Sequence, residues 1–242
     1  LLTFRQVVNQ LVTGKVDAAV MALENSIAGS IIPNYAHIDS NSLVITGEYY
    51  LEVEHNLMAL RGQKIKDIIE VYSHPMALLQ CQKFFKKHPK IKLVEDSDTA
   101  EVAQRISNKN LLQVAAIASS KAAKLYNLEI LEKNIQTVQQ NETRFVIIER
   151  ASKINLNDNK ASLKFVLDHK RGSLAAMLNV MSDCKLNLTK IQSLPIITTP
   201  WKYAFFVDVT FENLSDYEKA KSIMEIMAEE FKILGTYKKA KL

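Results

Sequence analysis

Ile68-Ile69-Glu70-Val71-Tyr72-Ser73-His74-Pro75-Met76-Ala77-Leu78-Leu79-Gln80-Cys81 changes its period halfway along. The first part is a short apolar run with β-branched residues, the pattern of a buried strand. It stops at Ser73-His74-Pro75. Pro75 then sits where a helix opens, because a proline at the first helical position lacks an N–H that would be unpaired anyway. Leu78, Cys81, Phe84 and Phe85 mark the buried side of that helix. A strand feeding straight into a helix is the unit of an α/β fold.

The alternation continues in both directions. Upstream, Phe4, Val7, Val8 and Leu11 recur at helical spacing before Gly14, and residues 17–23 read as a strand ending at Glu24-Asn25-Ser26. Residues 42–60 read as one or two strands punctuated by Gly47. Downstream, Leu93 lies on a strand, and Ser97 or Asp98 caps a helix through Glu101 and Ile106. Residues 114–118 form a small-residue strand, residues 120–126 an Ala-rich helix, and residues 143–148 a further strand. The expectation is an α/β domain with a largely parallel sheet, its ligand beyond the carboxyl ends of the strands. The polar triplets after Leu23 and after Tyr72 stand at such ends.

Between residues 149 and 160 the composition turns to Lys, Asn, Asp and Ser, a linker signature. Beyond it come a strand (162–167), then a helix (172–182) with Leu174, Met177, Leu178 and Met181 at i, i+3, i+4 and i+7. Strands at 186–193 and 203–211 follow, then a helix opened by Ser215 with Tyr217, Ala220, Met224 and Met227 inward, and a last strand at 231–237. The order is βαββαβ, the ferredoxin-like pattern.

Composition removes several classes of function. With 242 residues, 48% hydrophobic, and only 6 Gly and 5 Pro, the chain is neither disordered nor fibrous. A membrane span needs roughly 18 consecutive apolar residues, and charge interrupts every run well before that. The 31 basic and 26 acidic residues leave a formal charge of +5, part of it in clusters at 83–92 and 238–241. No continuous basic face with interleaved aromatics is present, so nucleic acid is not expected as a partner. Cys81 and Cys184 have no metal-ligand spacing and read as buried thiols in a reducing cytoplasm. The start, residues 1–12, has no positively charged n-region and no clean apolar stretch, so it is not read as a signal peptide; it looks like a chain beginning in mid-domain.

Four polar clusters stand out, each with a plain structural explanation. Glu24-Asn25-Ser26 suits a turn, Ser73-His74-Pro75 a capped helix start, and residues 96–99 a helix cap. Asn141-Glu142-Thr143-Arg144-Phe145 suits a loop entering a strand. Taken in order they resemble one family. Ala22-Leu23-Glu24-Asn25-Ser26-Ile27-Ala28-Gly29-Ser30 is similar to a P-I-E-N-S-x-x-G-x-V block. Gly47-Glu48 with Val53-Glu54-His55-Asn56-Leu57 resembles G-E…I-x-H-x-L, and residues 71–81 resemble Y-S-H-P-Q-A-L-x-Q-C. Thr99-Ala100, residues 115–119 and Ala122-Ala123 continue the likeness, and residues 141–145 resemble N-x-T-R-F. This is the pattern of prephenate dehydratase, over about residues 14–150, and the C-terminal unit resembles that family's regulatory ACT domain.

The resemblance implies a two-lobed, periplasmic-binding-protein-like dehydratase domain (residues 1–152) followed by a ferredoxin-like ACT domain (residues 160–242). It implies a cytoplasmic hydro-lyase of phenylalanine biosynthesis that takes prephenate to phenylpyruvate without cofactor or metal. Thr143 takes the role of proton donor to the leaving hydroxyl. Asn25, Ser26, Ser73, His74, Thr99, Asn141 and Arg144 are the substrate-binding candidates, Arg144 either on a substrate carboxylate or on backbone carbonyls. Gly172, Ser173, Leu174 and Ser193 are candidates for holding an L-phenylalanine effector. The open face and edges of the βαββαβ sheet imply a homodimer or homotetramer, with Met177, Met181, Val207 and Val209 as apolar surface. The family's G-P-x-G-S/T-x-S segment and its opening strand are missing before Gly14. Gln192-Ser193-Leu194-Pro195 replaces E-S-R-P, and Gly172-Ser173-Leu174-Ala175 replaces G-A-L-V, so phenylalanine is expected to bind weakly or with altered contacts. Arogenate dehydratase and a non-catalytic small-molecule binding module are the rival functions.

Overall fold

A computed structural model describes residues 3–151 and 155–240, so residues 152–154 of the expected linker, Lys241 of the basic tail, Leu242 and residues 1 and 2 lie outside the described residues. Two compact units are present. The first contains the residues up to Asn25, Gly29–Leu51 and the chain from Thr143 onward; the second contains Ser26–Ala28 and Glu52–Glu142.

The chain opens with α1 (Phe4–Val12), capped by Thr3, whose Oγ1 accepts from the Gln6 N–H at 3.2 Å while Gln6 Oε1 accepts from the Thr3 N–H. Such a reciprocal cap satisfies two donors the first helical turn leaves open. Next come β1 (Ala18–Asn25), β2 (Gly29–Ser30), α2 (Ile32–Ser40) and β3 (Val44–Glu52). The second unit carries β4 (Asn56–Ala59), β5 (Glu70–Ser73), α3 (Pro75–Gln80), α4 (Gln82–Phe85), β6 (Lys92–Glu95), α5 (Thr99–Lys109), β7 (Val114–Ala118), α6 (Ser120–Leu125) and β8 (Glu129–Glu132). β9 (Glu142–Glu149) leads into β10 (Lys160–Val166), α7 (Ser173–Asp183), β11 (Asn187–Pro195), β12 (Tyr203–Thr210), α8 (Leu214–Met227) and β13 (Glu230–Tyr237). The strand orders are β2-β1-β9-β3, β6-β5-β7-β4-β8 and β11-β12-β10-β13. This is the expected α/β fold with a βαββαβ unit after it.

The expectation of a largely parallel sheet is corrected. Only β5 runs parallel to its neighbours β6 and β7 among the pairings β1/β2, β1/β9, β4/β7, β4/β8, β5/β6 and β5/β7; the other four are antiparallel. Helical crossovers join β5, β6 and β7, whereas β9 reaches β1 from the far end of the domain and is free to run the opposite way. The polar run after Leu23 is also relocated: Glu24 and Asn25 belong to β1, paired with Arg144 and Thr143 of β9 and with Ser30 and Gly29 of β2. Residues 32–40 show little apolar periodicity, yet α2 forms because tertiary contacts hold it. Tyr35 and Ile38 are buried, and Asn34 Nδ2 donates to the Ala22 carbonyl at 2.6 Å.

The first unit has one core shared by two sheets. Met21, Leu23, Ile45, Val146 and Ile148 pack with Val166, Leu194, Phe206, Leu234 and Tyr237. β13 approaches β3 so closely that a Cβ on Gly235 would lie 2.0 Å from the Ile45 carbonyl oxygen. On the other face, Val207 and Val209 of β12 pack with Met177, Met181, Tyr217 and Met224 under α7 and α8. Successive strand residues point to opposite faces, so both faces of the C-terminal sheet are filled from within the chain. The expected open face is therefore absent from this sheet, and Met177, Met181, Val207 and Val209, all at 2% exposure or less, form core and not a docking surface.

Candidate active site

In the first unit the reacting candidates meet on adjacent strands. β1 and β9 set Asn25 opposite Thr143, and Asn25 Nδ2 donates to Thr143 Oγ1 at 3.0 Å. Thr143 is half-buried and Asn25 buried. A hydroxyl that accepts from an amide keeps its own hydrogen to give, and polarisation along the pair strengthens that second bond. The register slips between Ala22 and Glu24, a β-bulge at Leu23 just before this pair. Bulges re-aim side chains and are common beside active sites.

Arg144 is a correction. It reaches neither a backbone carbonyl nor solvent: at 3% exposure its Nε donates to Glu48 Oε2 at 2.7 Å, Nη1 to Asp208 Oδ2, and Nη2 to Tyr237 Oη at 2.8 Å. Lys160 Nζ donates to the same Glu48 oxygen at 2.7 Å, and Ser162 Oγ bonds both Asp208 and Tyr237. Two cations thus face two carboxylates inside the shared core. Burial disfavours the charge on Arg144, but Asp208, Tyr237 and Glu48 outweigh it and hold the guanidinium protonated. Burial and then repulsion from Arg144 leave the Lys160 ammonium below its ordinary range, against the bond from Glu48. Arg144 supports β9 from behind Thr143 and has no surface to offer a substrate.

The second unit holds another polar cluster. Asn141 Nδ2 donates to Gln80 Oε1 at 2.9 Å, and His55 Nε2 donates to the same oxygen at 2.7 Å. Burial lowers the His55 pKa, with the Gln80 bond opposing, so the ring favours its neutral form. The Asn141 carbonyl accepts from the Val53 N–H at 2.7 Å. Ser26 Oγ accepts from the Glu142 N–H at 2.9 Å, and the Ser26 N–H donates to the Glu142 carbonyl at 2.8 Å. His74 is exposed and caps α3, its Nδ1 accepting from the Met76 N–H at 3.2 Å. Ser73 is 0% exposed and its Oγ donates to the Ile117 carbonyl at 2.9 Å, so the structure makes it a tie between β5 and β7 and not a substrate contact. Thr99 is the first residue of α5, capped by Asp98, whose Oδ1 accepts from Ala100 and Glu101.

Of the effector candidates, Ser173 and Leu174 line a pocket of about 170 Å³ with Leu167, Lys202, Tyr203 and Phe205. Gly172 caps α7 with φ +86°. Ser193 is exposed on β11 opposite Phe205 in register and does not line this pocket. Leu194, in place of the family's arginine, is buried in the shared core.

Two groups went unread in the sequence. Gln80 is the shared acceptor for Asn141 and His55, and it stands inside the Y-S-H-P-like block. Lys190 pairs with Glu24 at 2.6 Å and donates to Ser30 Oγ at 2.8 Å; nothing local in sequence marks a contact across 160 positions. Among the described residues, no group of three or more His, Cys, Asp or Glu side chains could hold a metal ion, and no helix is long and apolar enough to cross a membrane.

Comparison with known proteins gives this geometry a family. The chain is 34% identical over 248 residues to a bifunctional chorismate mutase/prephenate dehydratase of Buchnera aphidicola (subsp. Acyrthosiphon pisum), covering 99% of this chain and 63% of that one. It is 38% identical over 237 residues to arogenate dehydratase/prephenate dehydratase 2, chloroplastic, of Arabidopsis thaliana, covering 92% and 61%. Against solved structures, GqqA, described as a novel type of quorum quenching acylase, gives a TM-score of 0.87 at 27% identity over 98% of this chain and 88% of that one. Prephenate dehydratase from Arthrobacter aurescens in complex with L-Phe gives 0.86 at 24% identity over 97% and 78%, a likeness of fold. The chain spans about 62% of the length of the curated relatives it matches. The family model for prephenate dehydratase matches residues 1–153, and the chain belongs to the prephenate dehydratase family.

Proposed function

We propose that this chain converts prephenate to phenylpyruvate, the dehydratase step of phenylalanine biosynthesis. One observation carries the reading: in a chain of this family, Asn25 donates to Thr143 Oγ1, so the hydroxyl still has its own hydrogen to give. The ring carboxylate leaves as carbon dioxide, its bonding pair enters the ring, and the ring hydroxyl departs with one proton as water. Aromatisation supplies the driving force, so the protein has to protonate the leaving oxygen and hold a dianion. Thr143 gives the proton and regains one from solvent, which its half-exposed position allows. Asn25 polarises Thr143; Ser26, His74 and Thr99 are the proposed substrate-binding residues, whereas Asn141, 0% exposed with its Nδ2 on Gln80, serves the scaffold. Arg144 and Ser73 act on the scaffold.

Incubating the purified full-length protein with prephenate and measuring phenylpyruvate and carbon dioxide tests this; no turnover overturns it. Arogenate is the second substrate to assay, because the Arabidopsis relative carries both names and the two compounds differ only by an amino group on the side chain. An acylase activity like that of GqqA would require an activated nucleophile. Ser73 Oγ donates to a carbonyl, Ser26 Oγ accepts from an N–H, and Thr143 accepts from an amide, so none of the three is paired with a base.

The C-terminal βαββαβ unit is the regulatory ACT domain in this reading, with L-phenylalanine held at Ser173 and Leu174. The Arthrobacter complex supports that ligand. We also infer a homo-oligomer assembled through β11, an edge strand with Ile191 43% exposed, and a cytoplasmic setting, which suits two buried free thiols. Sedimentation at micromolar concentration should show a dimer or tetramer.

A further inference from the structure

We propose that Lys190 is a positioning residue that keeps Asn25 aligned on Thr143, acting through the cross-strand pair Glu24 and Ser30. The inference rests on Thr143 being the proton donor.

In the first sheet Glu24 stands opposite Arg144, one step from Asn25 opposite Thr143. In the C-terminal sheet Lys190 stands opposite Asp208. The two pairs meet with complementary charge: Lys190 Nζ lies 2.6 Å from Glu24 Oε1, and Arg144 Nη1 donates to Asp208. A side view from β2 gives a third tie, because Ser30, the β2 partner of Glu24, accepts from the same Lys190 ammonium at 2.8 Å. One cation therefore holds both strands of the β1/β2 ribbon immediately before Asn25, and it lies 5.7 Å from the Tyr35 ring centroid.

Two features make this grip consequential. The Lys190 side chain is 8% exposed, so solvent ions screen its interactions weakly. The bulge at Leu23 interrupts the β1/β9 ladder just upstream, so Glu24 and Asn25 form a two-residue stretch in which pairing with Arg144 and Thr143 resumes at the end of β1. An external brace one residue away steadies this short end of the ladder. Asp39 on α2 provides a built-in comparison: Lys164 and Lys232 of the same C-terminal sheet grip it at 2.8 Å and 2.7 Å, but α2 carries none of the reacting groups.

The test compares Lys190→Met, Lys190→Arg and Asp39→Asn in the full-length protein, reading kcat, KM for prephenate and melting temperature. Lys190→Met should lower kcat about tenfold while KM stays within about twofold, the signature of lost alignment. Lys190→Arg should restore most of kcat. Asp39→Asn should lower the melting temperature and leave kcat at the wild-type value. In a Thr143→Ala background, Lys190→Met should cost nothing further in kcat, because the group it aligns is gone. If Lys190→Met does not fold, Ser30→Ala removes a single bond of the same ammonium and should lower kcat in the same direction. Wild-type kcat in Lys190→Met or Ser30→Ala beside an impaired Thr143→Ala overturns the inference alone, as does a loss that multiplies with Thr143→Ala. Wild-type kcat in Thr143→Ala overturns the proton-donor reading and the inference together.

Discussion

Asn25 and Thr143, 118 positions apart, are directly opposed on β1 and β9 and share a 3.0 Å bond from Nδ2 to Oγ1. A threonine is a weak acid in water, so its usefulness depends on that partner. Replacing Thr143 by Ala should lower kcat by about 10²-fold or more, the range for losing acid catalysis, with a much smaller change in KM. Steady-state kinetics check it, and a rise in KM at unchanged kcat would assign Thr143 to substrate positioning only.

Arg144→Met removes the cation between Glu48 and Asp208 and leaves two carboxylates facing Lys160 alone. Stranding buried charge in this way costs about 3–5 kcal/mol. Chemical denaturation should show that loss as a lower midpoint, and stability within error of wild type would remove the ionic core as a structural element.

Gly235→Ala places a methyl 2.0 Å from the Ile45 carbonyl oxygen, a backbone atom that cannot turn aside. β13 and β3 must separate, at a cost of about 1–3 kcal/mol for overpacking. The melting temperature should fall, and an unchanged value would mean that the two strands part without penalty.

Leu194→Arg restores the family's residue at a position that here lies in the shared core, at 9% exposure. An unpaired guanidinium among Leu23, Ile45 and Phe206 should destabilise the chain by several kcal/mol. Calorimetric titration should show no tighter phenylalanine binding, and a stable variant with tightened binding would contradict this placement.

His55 gives a pH dependence of defined sign. Burial lowers its folded pKa below 6.5, so between the two values the unfolded chain binds more protons. Stability from this group is full above about pH 6.5 and is lost as pH falls toward the folded value, with a slope of at most about 1.4 kcal/mol per pH unit. Melting curves between pH 7.5 and 5.5 should show the decline, and His55→Gln should flatten it. Parallel curves for both proteins would refute the assignment.

By itself the sequence determined what periodicity and local chemistry encode. The helix after Pro75, the strand at residues 114–118 and the βαββαβ order follow from apolar spacing and helix starts, which depend on near neighbours in the chain. The ordered polar blocks also carried the likeness to prephenate dehydratase, the family whose model matches residues 1–153. Tertiary structure alone decided where Glu24 and Asn25 lie, what Arg144 bonds, and which faces of the C-terminal sheet are covered. Arg144 reads in sequence as a cation at the head of a strand, and only the approach of β12 and β13 supplies Asp208 and Tyr237 as its partners. Gly235 shows no local reason to be glycine until β3 arrives against it. Lys190 is one basic residue among 31 until Glu24 and Ser30 are brought to it. The physical reason is common to all three: charge pairing and close packing depend on distance in space, and a single chain fixes that distance only by folding.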